Sequence, residues 1–164
     1  MARRITRLAL LTAVAVVIHA LEAQIPPLAP VPGIKLGLSN AVTLFAMLRF
    51  GRRDAGIVLA SRIILGGLLA GSFSSLVYSA SGGLAAFIVS ALIYKKLGYD
   101  RAFVTGAFSA VAHGFAQMLV AVLITETAAL WMWLALMTAA GIVTGAFTGY
   151  CAGYAGKRLG SVPQ

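Results

Sequence analysis

Residues 34–70 read IKLGLSNAVTLFAMLRFGRRDAGIVLASRIILGGLLA, two apolar runs joined by the basic turn Arg49-Phe50-Gly51-Arg52-Arg53. An apolar run, a positive cluster and a second apolar run form the repeating unit of polytopic membrane proteins, because Lys and Arg in short loops stay on the cytoplasmic side. The unit recurs in both directions. Arg3, Arg4 and Arg7 precede the first apolar stretch, Lys95, Lys96 and Arg101 separate the fourth from the fifth, and Lys157 and Arg158 close the sixth. The alternate connections carry only Glu22, Lys35 and Glu126. Positive charge at every second boundary predicts an even number of crossings with both termini cytoplasmic.

Composition points the same way. The 164 residues are 60% hydrophobic and 10% charged, whereas a soluble domain carries about a quarter charged residues. The net charge of +9 would suit nucleic acid in a soluble protein, but eleven of the thirteen basic residues sit in the four boundary clusters. That placement fits anionic headgroups and topology, so no nucleic-acid partner is expected. Cys151 is the single cysteine, which excludes an intrachain disulfide or a Cys-based metal site and leaves small apolar filler as its expected role. The basic start followed by Leu8 to Ile18 also resembles a secretory signal, with small residues from Ala20 to Ala23 near a possible cleavage point. Five further apolar stretches favour a retained first helix.

With about 1.5 Å of rise per residue and about 30 Å of hydrocarbon, each crossing needs roughly 17 to 25 residues. The chain divides accordingly into spans at about 5–23, 34–50, 54–70, 82–96, 101–124 and 129–155. The expected fold is an all-α integral membrane domain covering residues 1–164, a compact bundle of six transmembrane helices in the cell (inner) membrane. Pro26, Pro27, Pro30 and Pro32 make the first external connection extended. The Ser- and Gly-rich stretch Gly71–Ser81 reads as the second external loop, and Thr125–Ala128 as the third. Asp54 is placed to cap the third helix and Asp100 to open the fifth. The second and fourth spans are short, which calls for tilt, thinning or partial embedding.

Small residues mark where helices meet. Gly141, Gly145, Gly149 and Gly153 recur every four residues and form a side-chain-free ridge for helix packing, within the bundle or at a seam with another subunit. Ala9 and Ala13 form a weaker small-residue pair on the first helix. Gly66, Gly67, Gly71, Gly82 and Gly83 supply either close approach or mobility around the second external loop.

Polar residues inside the spans are the candidate binding groups. Arg62 falls near mid-bilayer, where a charge costs at least about 2.5 kcal/mol, so it must face the interior, pair with an anion or reach water. Three explanations are open: an internal bridge, for example to Glu22 or to helix-end carbonyls; a substrate anion or polar headgroup; or another topology. Thr105, Ser109, His113 and Gln117, at four-residue spacing, form one polar stripe facing protein. The first two suit interhelical hydrogen bonds, while His113 and Gln117 are better ligand candidates. His19 and Glu22 lie three residues apart near the outer end of the first helix, adjacent enough to tune a protonation but not a metal site. Lys35 either snorkels to lipid phosphate or joins the site. Gly37, Ser39 and Asn40 lie deeper and must line an interior surface.

The segment Pro32-Gly33-Ile34-Lys35-Leu36-Gly37-Leu38-Ser39-Asn40 resembles the Pro-Gly-x-Lys-Leu-Gly-Leu-(Ala or Ser)-Asn motif of the Gx transporter family. Its members are often labelled heptaprenyl diphosphate synthase component I, yet the family is grouped with the substrate-binding S components of energy-coupling factor transporters. The resemblance implies a six-helix protein that binds a vitamin or similar nutrient near the outside. It also implies docking onto a transmembrane coupling subunit and two ATPases, partly through an Ala-x-x-x-Ala face that Ala9 and Ala13 would match. The chain has no Gly-x-x-x-x-Gly-Lys phosphate loop, so ATP hydrolysis would have to come from a partner.

The expected function is thus a transport subunit, not an enzyme and without cofactor or metal, that takes a small molecule with an anionic or carbonyl-bearing part. Prenyl diphosphate synthesis needs paired aspartate-rich motifs around magnesium, whereas Glu22, Asp54, Asp100 and Glu126 are scattered. Two alternatives stand beside it: a membrane subunit that presents or imports an isoprenoid precursor, and a solitary channel, scramblase or assembly factor.

Overall fold

The structure is a computed structural model that describes residues 2–26, 29–30 and 34–159. Pro27, Pro32 and Gly33, named above, lie outside the described residues. The described chain is all-helical: α1 (Ala2–Glu22), α2 (Asn40–Phe50), α3 (Arg52–Ala70), α4 (Phe73–Leu97), α5 (Ala102–Thr125) and α6 (Leu134–Arg158), with a 3₁₀ segment, Ala128–Trp133, leading into α6. Four stretches, Ala2–Glu22, Phe73–Leu97, Ala102–Thr125 and Ala128–Arg158, are long and apolar enough to cross a membrane, and they mark a membrane protein. α3 has 19 residues but carries Arg52, Arg53, Asp54 and Arg62. The 11 residues of α2 reach only about 17 Å at helical rise.

The basic clusters gather at one end of the bundle. Arg4 pairs with Asp54 at 2.5 Å, Lys157 pairs with Asp100, Arg49 donates to the Leu159 carbonyl at 2.9 Å and Tyr99 to the Leu48 carbonyl at 2.8 Å. These contacts tie together the start of α1, the α2–α3 turn, the α4–α5 turn and the end of α6. Asp54 and Asp100 therefore act as ion-pair partners. Neither supplies the cap expected of it, since Gly51 and Arg101 hold the cap positions of α3 and α5.

Two boundaries differ from the sequence expectation. Helix α2 starts at Asn40, not Ile34, and ahead of it the backbone N–H groups of Lys35 and Gly37 donate to the side chains of Gln117 and Glu22. Gly37 turns the chain with φ of +81°, a conformation that costs glycine little. Gly71–Ser81 is not a loop. Gly71, at φ +59°, ends α3, and the Ser72 hydroxyl accepts from the Ser75 N–H at 3.4 Å to open α4 at Phe73. Ser75, Ser79, Gly82 and Gly83 are buried there, small groups facing the interior. Cys151 is exposed on α6, so it does not fill the core.

Two apolar cores occupy the ends of the bundle. One, at the basic end, joins Ala15, Val42, Ala46, Met47, Ala55 and Val58; the other joins Ile34, Tyr78, Met118, Ala121, Leu130 and Met137. The ridge Gly141, Gly145, Gly149 and Gly153 packs within the chain, on α5. A Cβ on Gly145 would stand 2.6 Å from the Ala110 Cβ, and one on Gly153 would stand 2.6 Å from the Tyr99 carbonyl. Gly106 of α5 meets Gly145 and Gly149 backbone to backbone, the close approach that only side-chain-free positions allow.

Candidate functional site

Between the two cores lies a buried polar network centred on residues 35–40. Helices α2 and α3 run antiparallel on either side of Gly51, so Asn40 and Arg62, equidistant from it in sequence, face each other. Arg62 Nη1 donates to Ser39 Oγ at 2.5 Å and Nη2 to Asn40 Oδ1 at 3.1 Å. Asn40 Nδ2 lies 2.9 Å from His113 Nδ1 on α5. On the other side of the segment, Lys35 Nζ lies 3.0 Å from His19 Nε2 on α1. The Lys35 N–H donates to Gln117 Oε1 at 3.1 Å, and Gln117 Nε2 donates to the Tyr78 carbonyl at 3.3 Å. The Gly37 N–H donates to Glu22 Oε1.

All seven candidate side chains thus meet in one place. Arg62 is 1% exposed, Gln117 1%, His113 2%, Glu22 3% and His19 5%, while Lys35 and Asn40 are half-buried. Lys35 points into the protein and bonds His19, which removes the headgroup role for it. The two terminal nitrogens of Arg62 are held by the start of α2, and Glu22 bonds the Gly37 backbone instead of the guanidinium. Thr105 and Ser109 are buried as well, with Ser109 Oγ 2.9 Å from Ser90 Oγ on α4.

The network is crowded and incompletely satisfied. Among the described residues, Glu22 Oε2, Arg62 Nε and His113 Nε2 are buried without a hydrogen-bond partner. A buried unmet polar atom costs about 1–3 kcal/mol, so this is the part of the described chain where polar satisfaction is poorest. Two cavities of about 20 Å³ adjoin it, each room for roughly one water. One lies against Glu22, Ile25, Pro26, Ile34 and Lys35. The other runs beneath α2, lined by Asn40, Thr43, Ser90, Ser109, Thr144 and Thr148.

Glycines seat the large polar groups, a role the sequence reading left open. A Cβ on Gly82 would stand 2.6 Å from His113 Cε1, one on Gly66 2.8 Å from His19 Cδ2, and one on Gly83 3.0 Å from Arg62 Nη2. The two Gly-Gly pairs, Gly66-Gly67 and Gly82-Gly83, were the available signal. They stand on neighbouring helices at the depth of Arg62 and mark close approach. Ala9 and Ala13 take no part in the network: both are exposed on α1, on the face away from the buried residues Thr12, Ala15 and His19.

The profile of the family described as heptaprenyl diphosphate synthase component I matches residues 11–155. The chain belongs to that family. The matched stretch takes in the whole polar network, from His19 to Gln117, and the glycine ridge of α6, so this member of the heptaprenyl diphosphate synthase component I family carries both within the family-defining part of the chain. No curated protein and no solved structure matches it.

Proposed function

We propose that this chain is the substrate-binding subunit of a membrane transporter, similar to the S components of energy-coupling factor systems. It crosses the inner membrane six times with the basic end cytoplasmic, binds a small molecule at the buried network from the outer side, and relies on a coupling subunit and two ATPases for energy. The observation that carries this reading is the network itself. Arg62, Lys35, His19, Glu22, Asn40, His113 and Gln117 converge from five parts of the chain around one non-helical segment. Interrupted helices that expose backbone and polar side chains at membrane depth are how transporters build solute sites. Two cations against one carboxylate favour a ligand with an anionic or carbonyl part.

Cavities of about 20 Å³ hold no nutrient, so binding requires the 34–39 segment or α2 to move. The exposed α1 face, with Ala9 and Ala13 among Ile5, Leu10, Val14 and Val17, is the docking surface of this reading. Lipid covers the other exposed apolar faces.

The chain is not an enzyme on its own in this reading. Asp54 and Asp100 are engaged by Arg4 and Lys157 at the basic end, away from Glu22. The family description favours a second reading, a membrane subunit that presents or imports an isoprenoid precursor for a prenyl diphosphate synthase. A solitary channel or scramblase is the third.

Copurification from native membranes distinguishes them. Two ATPases and a coupling subunit are expected with the wild type and depleted by Ala9→Trp or Ala13→Trp; a soluble synthase subunit in their place supports the second reading. Solute flux by the isolated chain in proteoliposomes supports the third. Native mass spectrometry of the gently purified protein names the ligand, and Arg62→Ala and Asn40→Ala are expected to lose it.

A further inference from the structure

Two cations, buried Arg62 and half-buried Lys35, dictate the hydrogen-bond roles in the network. An arginine has donors only, so the Asn40 atom that meets Arg62 Nη2 is the carbonyl oxygen, and the amide nitrogen faces His113. That nitrogen has only hydrogens to offer. His113 Nδ1 must therefore accept, which places the ring proton of neutral His113 on Nε2. Lysine likewise only donates. His19 Nε2, 3.0 Å from Lys35 Nζ, must accept, and the ring proton of His19 falls on Nδ1. These are the two histidines of the chain.

The consequence lies at His113 Nε2. The ring is 2% exposed, it sits between Gly37 and Gly82, and among the described residues its Nε2 has no partner in hydrogen-bond geometry. The carbonyls of Lys35 and Gly82 make loose backbone hydrogen-bond contacts with the ring, short of the distance and angle that would satisfy Nε2. Arg62 Nε is a second donor in the same condition.

We infer that Arg62, acting through Asn40, and Lys35 lock the two histidines in opposite neutral tautomers, and that His113 Nε2–H is a specificity donor for a carbonyl or carboxylate oxygen of the bound molecule. His113 selects an acceptor at that position and rejects an amine, since a ligand N–H there would meet another hydrogen. Asn40 is the positioning residue: it converts the fixed charge of Arg62 into a fixed ring orientation. The ligand half of this inference rests on the binding reading above; the tautomer half does not.

Both halves are read by nitrogen NMR on the full chain, histidine-labelled with ¹⁵N, in lipid nanodiscs at neutral pH. Two spin systems are expected, one Nε2–H and one Nδ1–H, and His19→Gln should remove the Nδ1–H pattern and leave the other. Two like tautomers, or a doubly protonated ring at either position, overturn the lock. Asn40→Asp should change His113, because a carboxylate at position 40 accepts from both sides and draws a proton to Nδ1; an unchanged Nε2–H pattern in a folded Asn40→Asp variant also overturns it. Titration with acetate or acetamide should shift the His113 Nε2 resonance, and ethylammonium should not. A shift with ethylammonium alone, or none with acetate, overturns the ligand assignment. Absence of ATPases on copurification with the NMR pattern intact removes the transporter reading and leaves the lock, whereas ATPase binding with like tautomers does the reverse.

Discussion

The α5–α6 seam and the network around Asn40 both depend on glycine, and they use it for opposite ends. In the seam Gly106, Gly145 and Gly149 bring backbone onto backbone, a dry contact that holds the two helices together where lipid supplies no hydrophobic drive. In the network Gly37, Gly66, Gly82 and Gly83 make room for His113, His19 and Arg62. The first region optimises packing. The second leaves three polar atoms unmet among the described residues, so helix packing and the seating of large polar groups are carried by different glycines.

The largest test of that division is Arg62→Ala. It strips Ser39 and Asn40 of their donor, leaves Glu22 with less compensation, and should lower stability by about 3–5 kcal/mol in denaturant or thermal melts; Arg62→Lys should recover only part, because an ammonium cannot fork to both partners. Near-wild-type stability of Arg62→Ala would erase the contrast between network and seam. Next comes Gly145→Leu, which drives a side chain into the Gly106 carbonyl and the Ala110 Cβ and should cost about 1–3 kcal/mol while leaving the histidine spectrum unchanged. Gly82→Ala should do the opposite. Its Cβ meets a ring edge instead of backbone, so it displaces His113 and alters its resonances for a stability loss of about 1 kcal/mol. The smallest effect is expected at Gly141, where an added Cβ stands 3.5 Å from the Ala110 carbonyl, an ordinary contact; Gly141→Ala should be neutral or gain up to about 1 kcal/mol from helix propensity.

The seam was the more legible region. A four-residue glycine repeat on one helix states its own geometry, and its partner has only to be small. The network was legible as a set of residues but not as an arrangement. Depth along each helix singled out Arg62, Asn40, His113, Gln117, His19, Glu22 and Lys35, because charge and amide in an apolar span have few other uses. Their pairing was hidden. Nothing local says that Gln117 captures the Lys35 N–H from far along the chain or that Glu22 captures that of Gly37, where the positive φ of Gly37 breaks the helix expected over 34–39. The stretch Gly71–Ser81 failed for a related reason. Serine and glycine make loops in water, but inside a bundle the same small residues make room for a neighbour's large side chain, and composition alone does not tell the two apart.

The single residue Gly51 separates α2 from α3, and α2 is only 11 residues long. A segment of that length is too short to be recognised by the insertion machinery as a span of its own. In the six-crossing reading proposed above it enters the bilayer as one arm of a helical hairpin with α3, whose Arg62 gains its partners only when Asn40 and Ser39 stand beside it. Each arm supplies what the other lacks, so in that reading the order of assembly is written into the turn at Gly51.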